Sequence, residues 1–197
     1  MVYTEPVQAQ LKFLSFEEYL AYDDGTDNLY ELFNGGLIGL APESGENVKI
    51  AASLYAAFLA IVGLERVKYH GLEVEVSGEP KNRYPDLTIL REEHDALLRT
   101  RNTVRLHMPP PLLVIEVVSP GSLQRDRDYV AKRRQYEDIG VGEYWIVDPS
   151  LQQVTVLKLE EAVYEEIGVF TDTQTIVSPT FPKLRLTAKS VLSVKSA

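Results

Sequence analysis

A single carboxylate, Glu116, stands in the middle of an apolar, β-branched run, Pro111-Leu112-Leu113-Val114-Ile115-Glu116-Val117-Val118-Ser119-Pro120. A run of this length between prolines predicts a fully buried strand. An acid buried there needs a metal ion, a cation or a proton to offset its charge. A second acid, Asp86, follows Tyr84-Pro85 at the mouth of another apolar strand, Leu87-Thr88-Ile89-Leu90. Two carboxylates converging on one sheet edge make the oxygen-rich pair that Mg²⁺ or Mn²⁺ prefers, and such an ion would neutralise the buried charge. Asp128, Lys132 and Tyr136 recur every four residues and so share a helix face. Tyr129, three residues before Lys132, adds apolar body to that face, so Lys132 should point at the sheet while Arg134 stays solvated. An inward lysine beside two acids and a metal can orient an attacking water or stabilise a phosphorane-like charge.

Each of these residues also has a plainer use. Glu116 could be salt-bridged to Arg83 or Lys132. Asp86 could be the turn residue that Pro-Asp commonly supplies, and Lys132 could lie along Tyr136 or pair with Asp128. Arg125, Arg127, Arg133 and Arg134 could contact phosphates, although a charged helix flank is the default. Tyr136, Tyr144 and Trp145 read as core or site wall. His70, His94 and His107 lack ligand spacing and read as surface or structural residues.

The elements that must position these groups can be read in order. Residues 1–14 form an arm. Ser15-Phe16-Glu17-Glu18 is a capping box that starts a short helix to about Tyr22. Asn34-Gly35-Gly36 closes a hairpin between Leu29–Phe33 and Leu37–Ala41. A helix is expected over Glu46–Val62, burying Val48, Ala51, Ala52, Tyr55, Phe58, Leu59 and Val62. Leu72–Val76 alternates like a half-buried strand, and residues 91–110 read as a charged surface excursion holding one helical turn. After the Glu116 strand come a helix from Arg125 to Ile139, stopped by Gly140, and a buried strand from Glu143 to Val147. That order fits a right-handed parallel crossover. Val154–Leu159 and Ala162–Ile167 form a second hairpin, then short strands and a tail from 191. The expected class is α/β or α+β, one mixed central sheet flanked by helices, as one domain over residues 15–190.

Bulk properties narrow the setting. With no cysteine, disulfides and thiolate zinc sites are excluded. The net charge of −9 argues against broad adhesion to nucleic acid but not against a local basic groove. The start of the chain lacks the pattern of a signal peptide, and the apolar stretch Ser53–Leu64 is too short to span a bilayer, so a cytoplasmic place without membrane contact is expected.

Taken together and in this order, Tyr30-Glu31-Leu32, Tyr84-Pro85-Asp86-Leu87, Ile115-Glu116-Val117-Val118-Ser119-Pro120, Asp128-x3-Lys132-x3-Tyr136 and Gly140-Val141-Gly142-Glu143-Tyr144-Trp145-Ile146-Val147-Asp148 resemble the Uma2 family. That family is expanded in cyanobacteria and is placed in the restriction-endonuclease-like PD-(D/E)XK superfamily. The resemblance runs from about residue 15 to 190. It implies a restriction-endonuclease-like fold with added hairpins at both ends, and a Mg²⁺- or Mn²⁺-dependent nuclease acting on DNA. Asp86 and Glu116 would be its metal ligands and catalytic acids, Glu31 the further acid from the N-terminal region, and Lys132 the catalytic lysine. Taken alone, Glu31 would be an ordinary cross-strand charge. The lysine that the pattern places two residues after the glutamate is replaced by Val118, and Lys132, one helix later, stands in for it. Asn47 occupies the place of the family's histidine, and an amide can still donate or accept a hydrogen bond. A homodimer would suit cleavage of both strands. The alternative is a catalytically silent module that keeps the fold to bind nucleic acid or a protein.

Overall fold

The computed structural model describes residues 13–193, so all but the last two positions of the expected N-terminal arm lie outside it. A short helix, α1 (Phe16–Leu20), begins at Ser15, whose hydroxyl and backbone amide trade hydrogen bonds with Glu18 as the capping box requires. The hairpin β1 (Tyr30–Phe33) and β2 (Gly36–Gly39) turns through Asn34 and Gly35, both at positive φ, which matches the handedness of a two-residue turn. The long helix α2 (Gly45–Val62) follows. Strands β3 (Val67–Tyr69), β4 (Glu73–Glu75), β5 (Asn82–Arg83) and β6 (Leu87–Ile89) come next. The excursion over 91–110 holds the expected turn, α3 (His94–Leu97), and also a short strand, β7 (Thr103–Val104), which pairs parallel with β4. Strand β8 (Leu113–Val117) carries Glu116. The helix after it is α4 (Ser122–Asp126), a π-helical segment over Arg127–Lys132, and α5 (Arg133–Asp138). Gly140, at φ +82, ends it. Strand β9 (Glu143–Asp148), the hairpin β10 (Gln153–Glu160) and β11 (Val163–Thr171), and α6 (Ala188–Leu192) complete the chain.

Six strands form the central sheet in the order β11-β10-β9-β8-β6-β3. Only β8 and β9 run parallel, and the α4–α5 helix makes the crossover between them. The other neighbours are antiparallel, so the sheet is mixed, as expected. Both faces are covered. Ile115, Val117, Trp145 and Val147 pack under α2 and α6, while Val114, Val118, Tyr144 and Ile146 pack with Tyr136 and the β4 strand. Burial on both sides explains why β8 reads as an unbroken apolar run rather than an alternating one.

Three expectations shift. Helix α2 buries Asn47, Ile50, Ala51, Leu54 and Phe58, a face rotated from the one anticipated, and Val48 and Ala52 lie outside it. This helix is apolar on most sides, so hydrophobicity alone could not orient it. For the same reason its 18 residues are long and apolar enough to cross a membrane, but its buried side is part of the core against the sheet. The strand at β4 is not half-buried: Leu72, Glu73, Val74 and Val76 are all enclosed. Finally, the tail expected from 191 begins with Val191 and Leu192, which close α6 onto the core.

Candidate active site

The register of β6 on β8 pairs Leu87 with Ile115 and Thr88 with Val114. One further step along the two strands sets Asp86 opposite Glu116, at the end of the sheet where the pairing stops. Asp86 Oδ2 accepts a hydrogen bond of 2.6 Å from the Val117 amide, which fixes its carboxylate beside the neighbouring strand. Glu116 is 2 % exposed, and both its oxygens are engaged. Lys132 Nζ donates to Oε2 at 2.7 Å and the Tyr136 hydroxyl donates to Oε1 at 2.6 Å.

The partners come from the crossover helix. Asp128, Lys132 and Tyr136 are all buried on one side of it, while Arg134 is exposed, as their spacing predicts. The segment Arg127–Lys132 is π-helical, a wider coil than the sequence announces and one that recurs at functional sites. Lys132 Nζ also lies 3.1 Å from Asp128 Oδ1, whose charge is shared with Arg127 Nε at 3.2 Å. Of the two cations considered for Glu116, Lys132 is the one that meets it. Arg83 instead binds Glu31 through both carboxylate oxygens, at 3.1 and 3.0 Å.

Glu31 reaches the site because the hairpin is fastened beneath it. The buried Asn82 accepts a hydrogen bond from the Leu32 amide and donates to the Tyr30 carbonyl. One cavity of about 350 Å³ is lined by Glu31, Asp86, Glu116 and Lys132, together with Glu43, Tyr84, Gln124 and Arg127. All four candidates named by sequence therefore share one enclosure. Asn47 lies behind it, donating to the Val117 carbonyl and the Ser119 hydroxyl at 3.2 Å each, a bracing role for the end of β8.

The electrostatics of the site are those of two acids short of positive charge. Burial pushes the Asp86 carboxyl well above the usual carboxylate range, a hydrogen bond with Glu43 adds to that, and the Lys132 charge opposes it. Burial likewise raises Glu116 against the pull of Lys132. Burial works against the Lys132 ammonium too, but Glu116, Asp128 and Asp86 outweigh it and hold the amine above its ordinary value. Lys132 and Arg127 stand against the carboxyl groups of Glu116, Asp128, Asp86 and Glu43, which leaves room for more positive charge.

Two residues of this corner were not anticipated as site residues. Glu43, just before α2, lines the cavity, and His70 follows β3. Glu43, His70 and Asp86 each present a ligating atom within 4.8 Å of the others'. His70, read from sequence as a surface or structural residue, thus stands beside two acids, whereas His94 is structural, bonded through its ring to the Arg91 amide and the Pro109 carbonyl. No sequence spacing could have found Glu43 and His70, because they are 27 positions apart and meet only through the pairing of β3 with β6.

Tyr136→Phe isolates one of these bonds. It should cost about 1–3 kcal/mol in urea unfolding, because the buried Glu116 Oε1 loses its hydrogen-bond donor. A loss within experimental error would mean that water reaches this oxygen.

Comparison with known proteins agrees with this architecture. The Uma2 family model, described as "Putative restriction endonuclease", matches residues 16–189. No curated protein matches the chain. Among solved structures, a crystal structure of a putative nuclease belonging to DUF820, from Anabaena variabilis ATCC 29413, is similar at 20 % identity, with a TM-score of 0.66. The likeness covers 91 % of this chain and 98 % of that one, and shows the fold. A family match across nearly all of the globular region, with the motif acids and lysine gathered in one cavity, leads to one conclusion: the chain belongs to the Uma2 family.

Proposed function

We propose that this protein is a divalent-metal-dependent endonuclease that hydrolyses DNA phosphodiester bonds. The observation that carries the reading is the convergence of Asp86, Glu116 and Lys132 on one cavity, with the lysine paired to Glu116 at 2.7 Å. Asp86 and Glu116 would hold Mg²⁺ or Mn²⁺. The donor set fits, since carboxylate oxygens suit these ions, and each Glu116 oxygen keeps a second lone pair beyond its present hydrogen bond. When bound, the ion supplies Lewis acidity at the phosphate and lowers the pKa of a water.

The chain's own groups do the rest. Lys132 is held protonated and aimed by Glu116 and Asp128, so it can donate to a phosphate oxygen or fix the attacking water. Arg127, at the cavity wall and bonded to Asp128 through Nε, would offer its remaining N–H groups to a neighbouring phosphate. Glu31, held by Arg83 at the cavity wall, would supply a further carboxylate for the ion. Tyr136 keeps the Glu116 carboxylate from rotating away. A cytoplasmic setting and a homodimer, one copy for each strand, complete the proposal.

Plasmid nicking under a Mg²⁺ and Mn²⁺ titration tests it. Asp86→Ala and Lys132→Ala should each lower the rate by about 10²–10³-fold. Equal nicking by wild type and both variants would assign the activity to a contaminant and favour a silent nucleic-acid- or protein-binding module.

A further inference from the structure

We infer that the ion held at Asp86 is also bound by Glu43 and by a ring nitrogen of His70, and that this site selects Mn²⁺-type ions over Mg²⁺. The inference rests on the metal-dependent reading of the cavity given above and adds a nitrogen ligand to it. Glu43, His70 and Asp86 come from three different parts of the chain, yet one ligand atom from each falls within 4.8 Å of the other two. That spacing suits three donors around one cation, whose metal–ligand distances are near 2.0–2.2 Å.

His70 supplies the independent observation. Its Nε2 is closed to solvent and has no hydrogen-bond partner among the described residues. Buried ring nitrogens are ordinarily paired, and one left unpaired beside two carboxylates has the character of a metal ligand. The ring packs on its neighbour, and the backbone that carries it is tied to Asp86. The ring centroid lies 4.1 Å from that of Tyr69, and the His70 amide bonds to the Asp86 carbonyl, tying the two ligand-bearing segments together. Asp86 is enclosed, while Glu43 lies at the exposed side, so the position has an entry path from solvent.

The chemistry of the donors sets the preference. Mg²⁺ favours oxygen alone and gives up its waters reluctantly, whereas the first-row transition ions, with Mn²⁺ the weakest binder among them, accept an imidazole beside carboxylates. A ring nitrogen added to the Asp86, Glu43 and Glu116 carboxylates therefore discriminates against Mg²⁺ without thiolates.

Calorimetric titration of the full chain with MnCl₂ and with MgCl₂, and pulsed EPR of the Mn²⁺-loaded protein for ¹⁴N coupling, test this directly. His70→Asn is the informative variant, because His70 sits at φ +48, a conformation that asparagine adopts with little strain. The ratio of Mn²⁺ to Mg²⁺ affinity should fall at least about tenfold in His70→Asn, and the ¹⁴N coupling should vanish. Glu43→Gln, at an exposed position, should weaken both ions while keeping the ¹⁴N signal. An unchanged affinity ratio in His70→Asn, or a Mn²⁺ spectrum without ¹⁴N coupling in wild type, overturns the inference. Its failure is separable from that of the nuclease reading. Nicking that depends on Asp86 without nitrogen coordination sinks only the His70 ligand, and nitrogen coordination without nicking sinks only the hydrolase.

Discussion

Lys132→Met is expected to cost about 3–5 kcal/mol of stability at pH 9 and distinctly less at pH 5. The ammonium it removes is 6 % exposed and lies 2.7 Å from Glu116 and 3.1 Å from Asp128. Methionine keeps most of the apolar stem, so the loss is chiefly of charge. Glu116 is already raised by burial, and Lys132 is the main force opposing that rise. Without the lysine its carboxyl moves higher still. The sign of the pH effect follows from that direction. At low pH the folded and unfolded chains both carry the proton and little is lost. As pH rises past the ordinary carboxyl range, the unfolded chain ionises freely while the folded site holds its proton, so stability falls until the folded group has ionised as well. Urea unfolding of wild type and variant at the two pH values measures the difference. A loss that is the same at both would show that Lys132 acts through packing, and the charge-pair account would fail.

Asp86→Asn should do the opposite to the metal-free protein. Asp86 is 4 % exposed and is raised first by burial and then by its contact with Glu43. A raised carboxyl favours folding below its unfolded pKa, and that contribution disappears as pH rises through the folded value. At pH 8 and above, the wild type therefore carries a penalty that a neutral amide does not. The asparagine carbonyl can still accept from the Val117 amide, so the strand end keeps its hydrogen bond. A gain of about 1–2 kcal/mol is expected, or roughly 2–8 °C in melting temperature for a chain of this size. The same substitution should remove the stabilisation that millimolar Mn²⁺ or Mg²⁺ gives the wild type, which grows with the logarithm of free ion over Kd. Thermal melts with chelator and with each ion decide it. A variant that is less stable than wild type at pH 8 without metal, or that still responds fully to the ion, would show that Asp86 is a structural acid. Stability given up at a carboxylate and recovered on ligand binding is the usual mark of a functional site.

Much of this protein is written locally. The apolar run over β8, the Asn34-Gly35 turn, the Ser15 cap and the Gly140 stop each specify their element through backbone chemistry within a few residues, and each is where the sequence places it. Asp86, Glu116 and Lys132 were legible for a related reason. An acid in a buried strand and a lysine on an apolar helix face are both costly, and pairing with each other lowers both costs. Glu31 was legible only through the order of motifs, since a hairpin glutamate has no such cost of its own.

Tertiary structure alone decided the remainder. The orientation of α2 follows from which of its several apolar sides fits the sheet, and the π-helical segment carries both Asp128 and Lys132 on its buried side. Glu43 and His70 became neighbours of Asp86 because β3 pairs with β6 and α2 begins beside that edge. Sequence determined which groups could not tolerate burial by themselves. The partners they found were set by strand register and helix packing, long-range choices that depend on the whole core closing at once.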